Sequence, residues 1–195
     1  EFVVNIIPSQ RDGKDWFAYY AEDGKIVLEG NNGVSVASAL GHYLKENCGW
    51  HLSWCGKQET LPEVLPVPAE KVFRTSPYKY RYYLNYCTFN YTMSWWDFDR
   101  WQQEIDFMAL NGINMPLALT GQNSVWQRVY KKLGFTDEDL AGFFSGPAYF
   151  NWFWMGNLDG WCGPFPQSFM DDHEELQKRI LTAERSLGMT PVLPA

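Results

Sequence analysis

The sequence predicts an α/β chain in two parts. A small α+β domain with its linker spans residues 1–75, and residues 76–195 form a run of alternating strands and helices that stops before its sheet is closed. Three observations carry this. Apolar residues change period along the chain, from the two-residue alternation of strands to the three-to-four-residue spacing of helices. Four prolines fall between Glu59 and Pro77 in a stretch without periodicity, which reads as an extended linker. Beyond it the order strand, helix, strand, helix, strand is that of parallel βαβ units.

In the first part, Phe2 to Ile7 is β-branched and apolar, and two further strands, Phe17 to Ala21 and Lys25 to Glu29, flank the hairpin signal Asp23-Gly24. After Asn31-Asn32-Gly33, the apolar residues Val36, Leu40, Tyr43 and Leu44 follow helical spacing, and that helix is expected to stop before Gly49. Trp50, Leu52 and Trp54 then alternate with polar residues as in a half-buried strand. In the second part, Tyr80 to Tyr86 reads as a strand and Trp95 to Leu110 as a helix with Phe98, Trp101, Ile105 and Met108 on one face. Ile113 to Leu119 is the next strand, with Pro116 unusual for a central position. Gln122 to Leu133 is a helix, Thr136 and Asp139 open a short one, and residues 145–166 form an aromatic loop. Ser168 and Asp171 are expected to cap a last helix bearing Leu176, Ile180, Ala183 and Leu187, before a third strand from Met189 to Leu193.

Three parallel strands leave an open edge, because such sheets need cover on both faces and neighbours on both sides. The expectation is therefore a piece of a longer polypeptide, or a chain that covers this edge by self-association. Composition narrows the function classes. Of 195 residues, 46% are hydrophobic and 20% charged, which is the balance of a folded chain. A net charge of −7 opposes binding to a phosphate backbone, so no nucleic-acid partner is expected. No run of 18 apolar residues exists, so no membrane span is expected, and Glu1-Phe2-Val3-Val4 begins directly as a strand without a leader in front. The cysteines Cys48, Cys55, Cys87 and Cys162 include no CxxC pair and no histidine at zinc-ligand spacing. No metal and no cofactor is expected; a Cys48–Cys55 pairing stays open.

The 10 Trp, 11 Tyr and 13 Phe exceed what a core of this size requires, and aromatic side chains line ligand pockets. Ligands of α/β sheets sit beyond the carboxyl ends of the strands. That rule selects Asn85 to Thr88, Thr120 to Asn123, and the excursion carrying Tyr149, Phe150, Trp152, Phe153, Trp154 and Trp161 among glycines. Flat aromatic walls beside amides suit a sugar, whose CH-rich faces stack on rings while its hydroxyls seek polar partners. The acidic pairs Asp97/Asp99, Asp137/Asp139 and Asp171/Glu175 fall in first helical turns, where the helix dipole favours carboxylates. None is a convincing glycosidase pair. His42, His51 and His173 read as surface or packing residues, no histidine partner is evident to activate Cys87 as a nucleophile, and Asn90-Tyr91-Thr92 matches a glycosylation sequon.

Ordered blocks run from Tyr80 to Ala195: Tyr80 to Thr88, Trp95-Trp96-Asp97, Glu104 to Asn114, Gly121-Gln122, Val125 to Tyr130, Gly146-Pro147-Ala148, Met155 to Leu158 and Gly188 to Ala195. Together they closely resemble the α-N-acetylglucosaminidases, family 89 of the glycoside hydrolases, and residues 1–60 resemble that family's small N-terminal domain more loosely. The resemblance implies a fold in which residues 76–195 are the first three β/α units of a (β/α)8 TIM barrel, incomplete in this chain. It implies a retaining exo-acting hydrolase that removes terminal α-linked N-acetylglucosamine from glycans such as heparan-sulfate-type chains, in a lysosomal or exported (periplasmic or extracellular) protein. The catalytic glutamate pair is expected downstream of residue 195, so no catalytic residue is assigned and this chain alone is expected to be inactive. Asn85, Cys87, Trp152 and Met155 match substrate-pocket positions of the family: Asn85 and Cys87 to contact sugar hydroxyls, Trp152 and Met155 as apolar walls. Phe153-Trp154 stands where animal members carry a Gly-Arg pair and Asn123 where they carry a Glu, which removes an arginine able to meet a sulfate. A reading from another class, a non-catalytic carbohydrate-binding module, stays beside this one, as does a poorer third, an aromatic-rich interaction domain without a sugar.

Overall fold

The structure is a computed structural model that describes residues 2–8, 12–149, 151–155 and 165–193. Phe150, Trp161, Cys162 and the glycines at 156, 160 and 163 lie outside the described residues. The chain divides into two compact units, one of Glu1–Tyr82, Gln103–Met115 and Glu184–Thr190, the other of Tyr83–Gln102, Pro116–Ala183 and Pro191–Ala195.

The first unit opens with β1 (Phe2–Ile6), β2 (Trp16–Glu22) and β3 (Lys25–Gly30), followed by α1 (Gly33–Cys48), the short strands β4 (His51–Ser53) and β5 (Gly56–Gln58), and β6 (Val72–Thr75). The sheet order is β1-β3-β2-β6, with β1 parallel to β3 and the other pairs antiparallel. The β2–β3 hairpin turns through Asp23 at φ 49° and Gly24 at φ 73°, the left-handed pair that an Asp-Gly tight turn demands. α1 starts where the Asn32 side chain accepts the Ser35 N–H at 2.9 Å and stops at Gly49, φ 66°, so both ends are closed by local chemistry. Its apolar face seats Val36, Ala39, Tyr43 and Leu44 on Tyr19, Ile26 and Leu28, each large side chain contributing about 1.5–3 kcal/mol.

Asp15 organises the polar side of this unit. One carboxylate oxygen accepts from the Asn31 and Asn32 amides, both at 2.9 Å, and the other from Arg81 at 2.6 Å and Asn114 at 3.3 Å. Burial pushes its pKa up, but the hydrogen bonds from Asn31 and Arg81 outweigh that and hold it below its ordinary value.

One expectation for this part changes, and the pairing left open between Cys48 and Cys55 is not made. The stretch expected to be linker contains β6, whose Val72 to Thr75 pair with Tyr19 to Trp16 of β2; none of the four prolines falls inside it, and Val, Phe and Thr are good strand formers. Cys48 and Cys55 are free thiols.

From residue 82 the chain passes through β7 (Tyr82–Tyr83), α2 (Tyr86–Phe89), a 3-10 turn (Thr92–Trp95), α3 (Phe98–Leu110), β8 (Met115–Pro116), α4 (Gln122–Lys132), α5 (Asp137–Ala141), 3-10 turns at Pro147–Tyr149 and Trp152–Met155, and α6 (Gln167–Ser186). β7 and β8 pair, with the N–H groups of Met115 and Leu117 donating to the carbonyls of Arg81 and Tyr83, a parallel register.

Here the sequence overestimated the strands. The strand expected over Tyr80 to Tyr86 ends at Tyr83, because Leu84 turns into left-handed backbone at φ 77° and Asn85 starts a helix. The third strand reduces to a parallel bridge between Leu117 and Val192. Val192 donates to the Pro116 carbonyl at 2.8 Å and accepts from Ala118 at 2.9 Å; Pro116, having no N–H, cannot extend the ladder. α3 begins at Phe98, after Asp97 accepts the Arg100 N–H at 2.9 Å, so Trp95 and Trp96 lie before it. In α6, Ser168 sits inside the first turn and is not its cap: the Pro166 carbonyl accepts from Phe169 and Met170. A second core forms where Leu140, Phe144 and Met170 pack with Trp126, Tyr130 and Phe165.

Candidate functional site

The first of the three places chosen from sequence is built by α2. Leu84 is buried and left-handed, a conformation a leucine adopts only at a cost of order 1–3 kcal/mol and one that clusters at functional sites. It reorients the chain so that Asn85 becomes the N-cap. Asn85 Oδ1 accepts the Thr88 N–H at 3.1 Å, and Thr88 Oγ1 returns a bond to Asn85 at 2.7 Å. The side chain is exposed, and among the described residues nothing bonds its Nδ2. Cys87, half-buried, sits two residues further on, inside the same short helix.

Asn90 closes α2 and holds the aromatic excursion to it. Its Nδ2 donates to the Tyr86 carbonyl at 2.6 Å and its Oδ1 accepts the Asn151 N–H at 2.7 Å. With both amide atoms engaged and the residue buried, Asn90 acts as a structural clamp in this fold. The excursion then presents Trp152 between Tyr91 and Tyr149, ring centroids 5.8 and 5.9 Å away. Trp154 stacks on Trp126 of α4 at 5.4 Å and 10° and meets Tyr86 edge-on at 6.4 Å. Trp152 is half-buried and Met155 exposed. Thus α2, carrying Asn85 and Cys87, and the turn carrying Trp152 and Met155 are fastened together.

Two buried polar residues beside these rings escaped the sequence reading. Asn151 is fully buried, yet neither its Oδ1 nor its Nδ2 has a hydrogen-bond partner among the described residues, and the same holds for Trp152 Nε1. Such groups seek a polar partner, since a buried one left unmet costs about 1–3 kcal/mol. Asn90, the clamp, was noticed only as half of a sequon. The second place, Thr120 to Asn123, is buried apart from Gln122 and tied to α6, where Gln177 Oε1 accepts the Gly121 N–H at 3.2 Å and the Met170 carbonyl takes the Ser124 hydroxyl at 2.9 Å.

The acidic residues have structural occupations. Asp139 forms a capping box with Thr136, Asp171 accepts from Gln167 at 2.8 Å, and Glu175 pairs with Lys178 at 2.5 Å. His173 packs between two carbonyls, those of Phe169 (2.9 Å) and Ser94 (3.0 Å), and burial draws its pKa below the ordinary value. Among the described residues no group of three or more His, Cys, Asp and Glu is placed to hold a metal ion. No described helix is long and apolar enough to cross a membrane. The site offers walls and amides, the equipment of binding and orientation.

The model of the α-N-acetylglucosaminidase (NAGLU) TIM-barrel domain matches residues 81–195, and that of the N-terminal domain of the same enzyme matches residues 1–67. This chain belongs to the α-N-acetylglucosaminidase family. Human α-N-acetylglucosaminidase is 48% identical over 171 residues, which is 88% of this chain and 23% of the human protein. The family 89 glycoside hydrolase from Clostridium perfringens, solved in complex with PUGNAc, superposes with a TM-score of 0.94 at 39% identity over 100% of this chain and 22% of its own. A variant of that enzyme carrying two Glu-to-Gln substitutions, in complex with its substrate GlcNAc-α-1,4-galactose, matches equally. The chain thus spans less than a quarter of the length of these relatives.

Proposed function

We propose that this chain is the N-terminal part of a retaining, exo-acting glycoside hydrolase that removes terminal α-linked N-acetylglucosamine from glycans such as heparan-sulfate-type chains, in a lysosomal or exported protein. Residues 76–195 supply the first three β/α units of its TIM barrel, and the small domain with its linker occupies 1–75. The observation that carries the reading is the fastening of the Trp152–Met155 turn to α2 through Asn90 and Asn151, at the carboxyl end of the first parallel strand, where a barrel binds its substrate.

Trp152 and Met155 form apolar walls, and Asn85 and Cys87 meet hydroxyls of the terminal sugar. Retention requires one carboxylic acid to protonate the glycosidic oxygen and a carboxylate about 5 Å away to attack the anomeric carbon. That pair belongs to residues after 195. The present residues act by holding the sugar near its reactive geometry, where a small misplacement costs on the order of 100-fold in rate.

The test is Trp152→Ala in the complete enzyme, assayed on a chromogenic α-N-acetylglucosaminide. The expected result is a fall in kcat/KM of about 100-fold with a melting shift below about 3 °C, since the ring sits on an excursion and not in a core. Unchanged kinetics would remove Trp152 from the pocket.

A further inference from the structure

The first unit contains a cavity of about 320 Å³ that the sugar site does not use, large enough for one small ligand by comparison with pockets of roughly 300–1,000 Å³. Its floor is chemically closed. Ser38 Oγ donates to the Val34 carbonyl at 2.8 Å and lies 3.3 Å from that of Ala109. Arg81 is consumed by Asp15 (2.6 Å) and by the carbonyls of Gly112 (2.6 Å), Tyr78 (3.2 Å) and Lys79 (3.3 Å).

The rim differs. Arg74 is exposed, and among the described residues it makes one hydrogen bond, to the carbonyl of neighbouring Phe73 at 3.2 Å. His42 lies on the Phe17 ring, centroids 4.8 Å apart, with Glu46 3.5 Å from its Nδ1; Glu46 also takes the Tyr19 hydroxyl. Pro77 and Tyr78 complete the rim, Tyr78 with 69% of its surface exposed. Among the described lining residues Asp15 is the sole acidic side chain, and Arg81 neutralises it. In a chain of net charge −7, the described lining presents the Arg74 guanidinium, which the Glu46 carboxylate feels electrostatically without an ion pair between them, together with the exposed ring of Tyr78 and Pro77. A guanidinium fork matches the two oxygens of a carboxylate, and an aromatic face beside it accepts the CH-rich face of a pyranose.

We propose that this cavity is a second carbohydrate site that takes a uronate unit, its carboxylate on Arg74 and its ring against Tyr78. The sugar half of the assignment rests on the hydrolase reading above; the anionic half rests on the rim.

The complete enzyme is titrated by ligand-observed NMR with methyl β-D-glucuronide, with the neutral methyl β-D-glucoside and with N-acetylglucosamine, using wild type, Arg74→Ala, Tyr78→Ala and Trp152→Ala. The expected result is glucuronide binding in wild type and Trp152→Ala, weakened by about tenfold or more in Arg74→Ala and also weakened in Tyr78→Ala, with the glucoside binding about tenfold more weakly than the glucuronide. N-acetylglucosamine binding should survive Arg74→Ala and fail in Trp152→Ala. Because Arg74 is exposed, Arg74→Ala should melt with wild type, and its retained N-acetylglucosamine binding reports an intact fold. Glucuronide affinity within about twofold of wild type in Arg74→Ala, equal binding of glucoside and glucuronide, or no glucuronide binding overturns the second site. Failure of N-acetylglucosamine to bind wild type counts instead against the hydrolase reading.

Discussion

Asn85 caps α2, and truncation to alanine cannot separate that role from the proposed sugar contact. Its Oδ1 caps α2 at 3.1 Å, and its Nδ2 projects from an exposed side chain. Asn85→Ala removes both functions and costs about 1 kcal/mol of stability through the cap alone, so lost activity in that variant is ambiguous. Asn85→Asp keeps the accepting oxygen at a helix start that favours negative charge and deletes only the amide donor. We expect Asn85→Asp in the complete enzyme to melt within about 2 °C of wild type while kcat/KM falls about tenfold or more, the worth of a hydrogen bond to a sugar hydroxyl left unmade. A wild-type specificity constant in Asn85→Asp takes Nδ2 out of substrate contact. The family resemblance marks Asn85 as a pocket residue, but its capping role was hidden. The aromatic run from Tyr80 to Tyr86 reads as strand, and nothing in sequence announces that a leucine at 84 will take φ 77°, a region that favours glycine. Asn151 was equally invisible, since its interest lies in a burial that tertiary packing alone creates.

At the scale of elements, what was legible was what local chemistry closes. α1 between Asn32 and Gly49, α4 and the capping box of α5 stand where the sequence puts them, because caps and helical spacing act over a few residues. Strands depend on distant partners, so β6 passed for linker and the third parallel strand shrank to a bridge. Gly41 shows the same division. Within α1, helix propensity alone says that alanine would stabilise by about 1 kcal/mol. Yet a Cβ at Gly41 would stand 2.5 Å from the Leu110 carbonyl oxygen at the end of α3, and backbone cannot step aside as a flexible side chain can. We expect Gly41→Ala to lower stability by about 1–3 kcal/mol, read from the urea midpoint. A midpoint equal to or above wild type would mean that α1 does not approach Leu110 so closely.

For the whole molecule, acid and alkali act on different carboxylates and in opposite senses. The Tyr19 hydroxyl bond, partly opposed by burial, holds Glu46 below its ordinary value, and Asp15 is also lowered despite its burial. Groups of this kind stabilise the fold above their ordinary pKa values, 4.5 and 3.8, and lose that contribution as pH falls through the lowered ones. Glu184, at the end of α6, is the opposite case. It is fully buried, both carboxylate oxygens lack a hydrogen-bond partner among the described residues, and burial pushes its pKa from 4.5 up to about 8, with Arg185 opposing weakly. Its raised folded pKa means that its stabilising effect is complete below about 4.5 and erodes as pH climbs toward about 8, because the unfolded chain releases the proton that the fold retains. Each tenfold difference in proton affinity between the folded and unfolded chain is worth about 1.4 kcal/mol, so the loss across that window amounts to several kcal/mol. Stability of the complete protein should therefore peak on the acid side of neutrality. Glu184→Gln, an amide that mimics the protonated carboxyl, should flatten the decline between about pH 5 and 8 while leaving the fall below about pH 4 in place. Urea midpoints measured across that range decide the matter: a Glu184→Gln curve parallel to wild type throughout would mean that Glu184 is solvated or paired in the folded protein and that the alkaline loss originates elsewhere.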